Sequence, residues 1–378
     1  MQAIIVEVRP RLQTLYVFLK KKEDFYQKRM VNIEVKTSEI SITWESDSGS
    51  EVHKLNVPCY KLVPNSISSL QIQEQSVVFR LQTEPGSNLV GSFSVEYLSY
   101  PKAENPLSCR VLTPPPIDNK PCEMKCRSCG YMLLNTAFDR ILPLPSQCWE
   151  AGEWFCHKYS KNEEFTNIQD HLKATDCLYG SCFMYLHESQ LNVSVGEIVR
   201  CCNCNSWLGT HSGSLCKIWN CTTTLGMTSQ CSPLEDFLNI IKEAVHASPL
   251  PVCKIVIETK CSVSETNYLI LWVLGKNLNM LVYLDDGDQE LATSFSRSQE
   301  SVIERTLHLK NTVKLLYAPH TKHSEIVKSW LSDVQVQTVD VAEQMFNDGL
   351  AYLTKVNHYI PPPHNKTNDF FVSYLELF

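Results

Sequence analysis

The sequence predicts a multi-domain α+β protein: an N-terminal antiparallel β domain, a central cysteine-rich module and a C-terminal α+β domain. Three observations carry this. Period-two alternation fills the first hundred residues, 12 of the 17 cysteines fall between Cys122 and Cys221, and helical spacing becomes evident only after Ser232. At 378 residues the chain has length for two or three packed units, and its 43% apolar content is enough to build their cores.

Residues 1–100 form the first domain. IIVEVRP, TLYVFL, VNIEVKT, EISITWES, SVVFRLQT and FSVEYLSY each alternate apolar with polar residues, and Lys-, Ser- and Gly-bearing turns separate them. The pattern fits a β-sandwich or barrel-like sheet. Residues 101–121 carry six prolines, among them Pro114, Pro115 and Pro116, and read as a stiff linker.

Residues 122–210 form the cysteine-rich module. It is poor in long periodic segments, so its shape is expected to depend on metal more than on a large core. Residues 211–378 form the third domain. Ser232-Pro233-Leu234-Glu235 reads as a capping box with proline in the first turn. Leu234, Phe237, Leu238, Ile241 and Val245 then recur on one helical face, predicting a helix over 233–247. Strands KIVIE, YLILWVLG, MLVYLDD and VKLLYA follow. A helix is expected near His323, another over 341–355 behind Asp340, and a terminal strand in DFFVSYLEL.

Composition excludes some function classes. Net charge is −7 and no block of like charges stands out, which disfavours direct nucleic-acid binding; Lys20-Lys21-Lys22 reads as a solvated turn. The longest apolar run, Tyr268–Leu274, is too short to span a bilayer. Met1 leads directly into AIIVEVRP without a signal-peptide pattern. The expected location is therefore intracellular, cytoplasmic and also nuclear, where thiols stay reduced and serve as metal ligands, buried apolar groups or reactive thiols. The sequons at Asn192, Asn220 and Asn365 are chance matches in that setting.

The most specific chemical signal is a pair of CxxC knuckles, Cys126-Arg-Ser-Cys129-Gly130 and Cys201-Cys-Asn-Cys204. Two thiolates at this spacing chelate one ion on a tight turn, and two such turns complete a tetrahedral S₄ site for a structural Zn²⁺. Gly130 and Gly209 are expected to supply the reversals after the knuckles. The 71 residues between the knuckles exceed the span of a compact zinc ribbon. Cys202 is an alternative to Cys201 as the third ligand.

A second constellation runs from Leu142 to His157: LPLPSQCW, then Glu150, Glu153, Trp154, Cys156 and His157. Side chains of neighbouring residues in extended backbone point apart, so Cys156 and His157 suit a loop that presents thiolate and imidazole to another protein's metal. Two other readings stay open: an internal zinc site from Cys156, His157, His171 and Cys177, and a buried cysteine beside a surface histidine. Asp285, Asp286 and Asp288 lack the glutamate a calcium loop requires and read as a solvated turn.

FDRILPLPSQCWEAGEWFCHK, the CRSCG and CCNCNSWLG knuckles, TDCLYG and the ending DFFVSYLELF together resemble the HECT-like ubiquitin ligase family. The resemblance implies binding of a ubiquitin-conjugating enzyme and passage of ubiquitin to cyclin-type substrates. It places the conjugating-enzyme-binding segment on the helix carrying Leu234, Phe237, Leu238 and Ile241; core packing is the competing reading of that helix. It also implies a second role. The Cys156–His157 segment is similar to a motif that enters the metal centre of the metallo-β-lactamase-type endonuclease of pre-mRNA 3′-end processing. On that reading Cys156 and His157 ligate the nuclease's metal, and Trp149 and Trp154 anchor the loop. One departure stands out. HECT chemistry uses a C-terminal cysteine for the ubiquitin thioester, whereas nothing after Cys261 is a cysteine. The remaining options are a thioester elsewhere, on Cys156 or Cys177, positioning of a charged conjugating enzyme without one, or a zinc-stabilised nuclease inhibitor or chaperone with no ligase activity.

Overall fold

The structure is a computed structural model, and it describes residues 2–9, 12–21, 30–46, 49–57, 60–73, 75–84, 121–144, 173–225, 232–248, 250, 252–262, 265–284, 293–295, 300–321 and 324–376. The chain divides into two compact units. One comprises Met1–Pro106, Val273–Leu316 and Leu353–Phe378, the other Leu107–Trp272 and Tyr317–Tyr352.

The first unit begins with strands β1 (Ala3–Arg9), β2 (Thr14–Lys20), β3 (Met30–Val35), β4 (Glu39–Ser46), β5 (Gly49–Asn56), β6 (Ser68–Gln73) and β7 (Ser76–Gln82). The chain then passes through the second unit, Leu107–Trp272. The first unit resumes with the latter part of β19 (Thr266–Leu284), β20 (Thr293–Phe295), β21 (Glu300–Thr306) and most of β22 (His308–His320). It closes with β24 (Lys366–Thr367) and β25 (Phe370–Leu375). One sheet runs β24-β25-β22-β19-β1-β2-β7-β6, the other β20-β21-β5-β4-β3.

Alternation explains the packing of this unit. Ile4, Val6 and Val8 of β1, Leu15, Val17 and Leu19 of β2, and Val77, Phe79 and Leu81 of β7 share a core with Ile40, Ile42 and Trp44 of β4 and Leu55 of β5. Residues of both sheets share this core, and it is not contiguous in sequence. Leu281, Tyr283 and Leu307 complete it from far along the chain. The expected contiguous domains 1–100 and 211–378 are thus corrected, because a strand's pattern reveals its buried face but not its pairing partner. YLILWVLG and the described part of MLVYLDD, up to Leu284, also prove to be one strand, β19. FSVEYLSY and the 101–120 part of the linker lie outside the described residues.

The second unit contains β8 (Cys122–Cys126), β9 (Met132–Thr136), β10 (Arg140–Pro143), β11 (Asp176–Tyr179), β12 (Phe183–His187), β13 (Val193–Ser194), β14 (Ile198–Cys201), β15 (Trp207–Ser212), β16 (Leu215–Trp219) and β17 (Thr223–Leu225). Helix α1 (Pro233–Ala247), β18 (Cys253–Lys260), α2 (Glu325–Leu331), β23 (Val336–Asp340) and the start of α3 (Glu343–Tyr359) complete it. Seven strands run β10-β11-β12-β16-β15-β14-β13, three run β17-β8-β9, and β18 pairs β19 and β23.

Helix α1 has the expected bounds. The Ser232 side chain accepts from the Glu235 N–H, the Glu235 side chain returns to the Ser232 N–H, and Pro233 stands in the first turn. Phe237, Ile241, Ala244 and Val245 have no exposure. A Cβ built on Gly349 of α3 would meet the Phe237 ring within 3.0 Å, so a helix backbone lies directly against that ring. Phe237 and Ile241 therefore do not face a partner, as the resemblance had placed them; they are core residues, while Leu234 and Leu238 are half-buried. Among the described residues no helix is long and apolar enough to cross a membrane.

Candidate metal centre

Both knuckles are tips of β-hairpins. The first lies between β8 and β9, the second between β14 and β15, and each hairpin shifts register by a bulge just before its knuckle, at Met124/Lys125 and Val199/Arg200. The two turns close alike. The Gly130 N–H donates to the Cys126 carbonyl (2.8 Å), and the Asn205 N–H donates to the Cys201 carbonyl (2.9 Å). Cys126 N–H then donates to the Tyr131 carbonyl and Cys201 N–H to that of Ser206, at 2.8 and 3.0 Å.

This closure needs a left-handed residue directly after the second cysteine. Gly130 takes it at φ 73° and Asn205 at φ 58°; asparagine is among the few side-chain-bearing residues that visit this region readily. Gly209 is therefore not the reversal that the sequence suggested. It sits within β15, where a Cβ would collide with the Lys217 backbone on β16. Its role is a close strand approach.

The four sulfurs of Cys126, Cys129, Cys201 and Cys204 lie within 4.8 Å of one another, and this group can hold a metal ion. Sγ of Cys126 is 3.7 Å from Sγ of Cys204, and Sγ of Cys129 is 3.7 Å from Sγ of Cys201. A tetrahedron with metal–sulfur bonds of about 2.3 Å has edges of about 3.8 Å, so the donor spacing fits a four-thiolate centre. Cys201 rather than Cys202 joins the cluster; Cys202 is exposed and outside it.

The cluster stands on a shared base. Cys126 and Cys201 are buried in a core with Met124, Leu134, Val199, Leu208 and Ile218. Strand β17 flanks β8, and Arg127 ties to the turn just before β17 through its N–H to the Thr222 carbonyl and its guanidinium to the Cys221 carbonyl, both at 3.1 Å. Thr222 in turn donates to the Leu208 carbonyl of β15 (3.0 Å), which binds the two hairpins together.

The thiols differ electrostatically. The Ser206 hydroxyl lies 2.8 Å from Cys204 Sγ and 3.4 Å from Cys126 Sγ. Hydrogen bonding from the Ser206 side chain and backbone lowers the Cys204 thiol to about 6, favouring thiolate at neutral pH. Burial raises Cys201 to about 12, so an arriving cation would displace that thiol's proton to solvent. Sequence reasoning missed Asn205 and Ser206. Asparagine after a CxxC is a readable turn signal, whereas Ser206 carries none.

Among the described residues, the other expected ligand or nucleophile, Cys177, is not gathered here. Cys177 is wholly buried in the core beside Met184 and Leu186, and burial raises its thiol to about 12. It neither joins the metal cluster nor suits a nucleophile. Trp149, Trp154, Cys156, His157 and His171 lie outside the described residues, as do Asp285, Asp286 and Asp288.

Residues 7–372 match the model of a family described as HECT-like ubiquitin-conjugating enzyme (E2)-binding. The chain belongs to this family. Within the HECT-like E2-binding family it is similar to proteins named as E3 ubiquitin-protein ligases. The Pongo abelii protein is 23% identical over 413 residues, the Homo sapiens protein 22% over 413 and the Mus musculus protein 23% over 392; each alignment covers 99% of this chain and 98% of the relative. No solved structure matches the chain.

Proposed function

We propose that the chain binds a ubiquitin-charged conjugating enzyme and promotes transfer of ubiquitin to a substrate lysine, cyclin-type proteins being the substrate class, without carrying ubiquitin itself. The observation that carries this is the pairing of a family match over residues 7–372 with the state of the thiols. Cys177, Cys182, Cys216, Cys221 and Cys253 are buried. Burial raises Cys177 and Cys216 to about 12 and Cys182 further still. Among the described residues, the cysteine held well below its ordinary value, Cys204, belongs to the metal cluster, and exposed Cys202 lies within the same knuckle. In this reading the substrate amine attacks the thioester carbonyl on the conjugating enzyme. The isopeptide bond forms, the carbon–sulfur bond breaks, and the conjugating enzyme's cysteine leaves as thiolate while the amine's proton passes to solvent.

A Zn²⁺ ion at Cys126, Cys129, Cys201 and Cys204 is part of the proposal. Four thiolates with no open position suit a closed structural zinc site that holds the two hairpins together. A single-turnover discharge assay tests the transfer role. The chain should accelerate ubiquitin loss from at least one charged conjugating enzyme to free lysine, with no reductant-sensitive ubiquitin adduct on the chain. No acceleration across a conjugating-enzyme panel would refute transfer, and such an adduct would refute the non-covalent route.

Cys156 and His157 support a second reading from sequence: they ligate and block the metal centre of the 3′-end processing endonuclease, with Trp149 and Trp154 as anchors and an intracellular site of action. Replacing both Cys156 and His157 with alanine should abolish inhibition of that nuclease while the chain keeps its metal; full inhibition by the double variant would sink this reading.

A further inference from the structure

In the first unit, on the sheet face opposite the core shared by the two sheets, β1, β2, β22 and the segment after α3 line an open cleft of about 380 Å³. Its centre is a buried carboxylate, Glu7, which is 1% exposed. The Arg9 guanidinium donates to Glu7 Oε2 (2.8 Å), while Lys314 Nζ and the Tyr374 hydroxyl donate to Oε1. Burial raises the Glu7 carboxyl. The Lys314 charge and the hydrogen bonds from Lys314, Tyr374 and Arg9 more than reverse this, leaving it below the ordinary carboxylate value. Glu7 is therefore ionised, and it fixes two cations at the cleft.

Those cations are not used up. A guanidinium and an ammonium carry more N–H donors than the single bond each gives to Glu7. Lys366 also lines the cleft; it lies over the Phe371 ring (5.3 Å) and has no carboxylate partner among the described residues. Burial and the Lys314 charge lower His364, which keeps its ring neutral at pH 7. Three cations against one carboxylate leave the lining with excess positive charge equal to that of a dianion. Tyr16, Phe18 and His364 add aromatic walls, with His364 edge-on to Phe18 at 5.4 Å.

We propose that this cleft binds a phosphate monoester. Arg9, Lys314 and Lys366 take the phosphate oxygens, and the organic part of the ester lies against Tyr16, Phe18 and His364. Charge matching and unused donors favour a phosphate dianion over a monoanionic carboxylate, and the cleft volume falls in the range of small-ligand sites. The ester can come as a free small molecule or as a phosphorylated residue of a peptide; both present the same group.

Calorimetric titration of the full chain tests this, using phenyl phosphate, its monoanionic counterpart phenyl sulfate and a short phosphotyrosine peptide. Phenyl phosphate should bind about tenfold more tightly than phenyl sulfate. A peptide much tighter than phenyl phosphate identifies the peptide source, and equal affinity identifies the small molecule. Lys366→Gln, an exposed change that spares the Glu7 cluster, should weaken phosphate binding about fivefold. Glu7→Gln keeps the shape and removes the competing charge, so it should tighten binding by a similar factor. A purely structural Glu7 cluster predicts no such gain. Absent binding, equal binding of sulfate and phosphate, or unchanged affinity in Lys366→Gln would overturn the proposal.

Discussion

Replacing Gly349 with alanine tests whether α1 is a core helix or one free to engage a partner. Glycine inside an open helix is less stable than alanine by roughly 0.5–1 kcal/mol, so on an unconstrained α3 the change would stabilise the protein. Here the new methyl would fall within 3.0 Å of Cγ, Cδ1 and Cε1 of Phe237. That ring has no exposure and nowhere to move. Overpacking of this kind costs about 1–3 kcal/mol, which outweighs the helix gain and leaves a net loss of about 1–2 kcal/mol. For a unit of this size the melting temperature should fall by roughly 3–6 °C. Urea unfolding followed by circular dichroism, with Phe237→Leu alone and combined with Gly349→Ala, gives the coupling. Leucine should recover about 1 kcal/mol of the alanine penalty. A stabilising Gly349→Ala, or additive effects of the two changes, would show that α1 does not pack on α3 as described.

Two further outcomes follow from buried and strained residues. His53 is 2% exposed, with Nε2 2.8 Å from Glu51 and Nδ1 facing the Arg305 guanidinium, an obligatory donor; Nδ1 must accept, so the ring is neutral. Burial comes first among the causes that hold its pKa below 6.5, and the Arg305 charge adds to it while Glu51 opposes them. Because the folded value is the lower one, this contribution is fully present above pH 6.5 and is lost as pH falls from there through the folded value. The urea midpoint should drop across that window in the parent and drop less in His53→Gln; identical pH profiles would refute the assignment. At the second knuckle, Asn205→Gly should be nearly neutral, whereas Asn205→Val should cost about 1–2 kcal/mol and speed metal loss to a chelator about tenfold, since a β-branched residue resists φ 58°. Equal chelation rates in the two variants would contradict the turn argument.

Much of the local structure was legible because its signals are local. The Ser232–Glu235 capping box fixed the start of α1, and alternation located β1, β2, β4 and β7 closely. The knuckle cysteines were legible for the same reason. What sequence could not supply was pairing over distance. Nothing in MLVYLDD states that Leu281 and Tyr283 pack with Ile4 and Val6, so the two units' discontinuous make-up stayed hidden. YLILWVLG and MLVYLDD read as separate strands, yet β19 runs from one into the other through Lys276–Asn279. The amphipathic face of α1 suits either a partner or a neighbouring helix, and only Gly349 decides between them. Glu7 and Lys314 gave no signal at all, because their ion pair joins residues 307 positions apart.

Four sulfurs from two hairpin tips are spaced to hold one ion, and Cys202 lies outside the cluster. Native mass spectrometry of the intact chain and of two variants tests this claim most directly. Parent and Cys202→Ser chains should each carry the mass of one zinc ion, and Cys204→Ser should lose it. A folded parent chain free of metal, or a Cys202→Ser chain that loses metal as readily as Cys204→Ser, would contradict the claim.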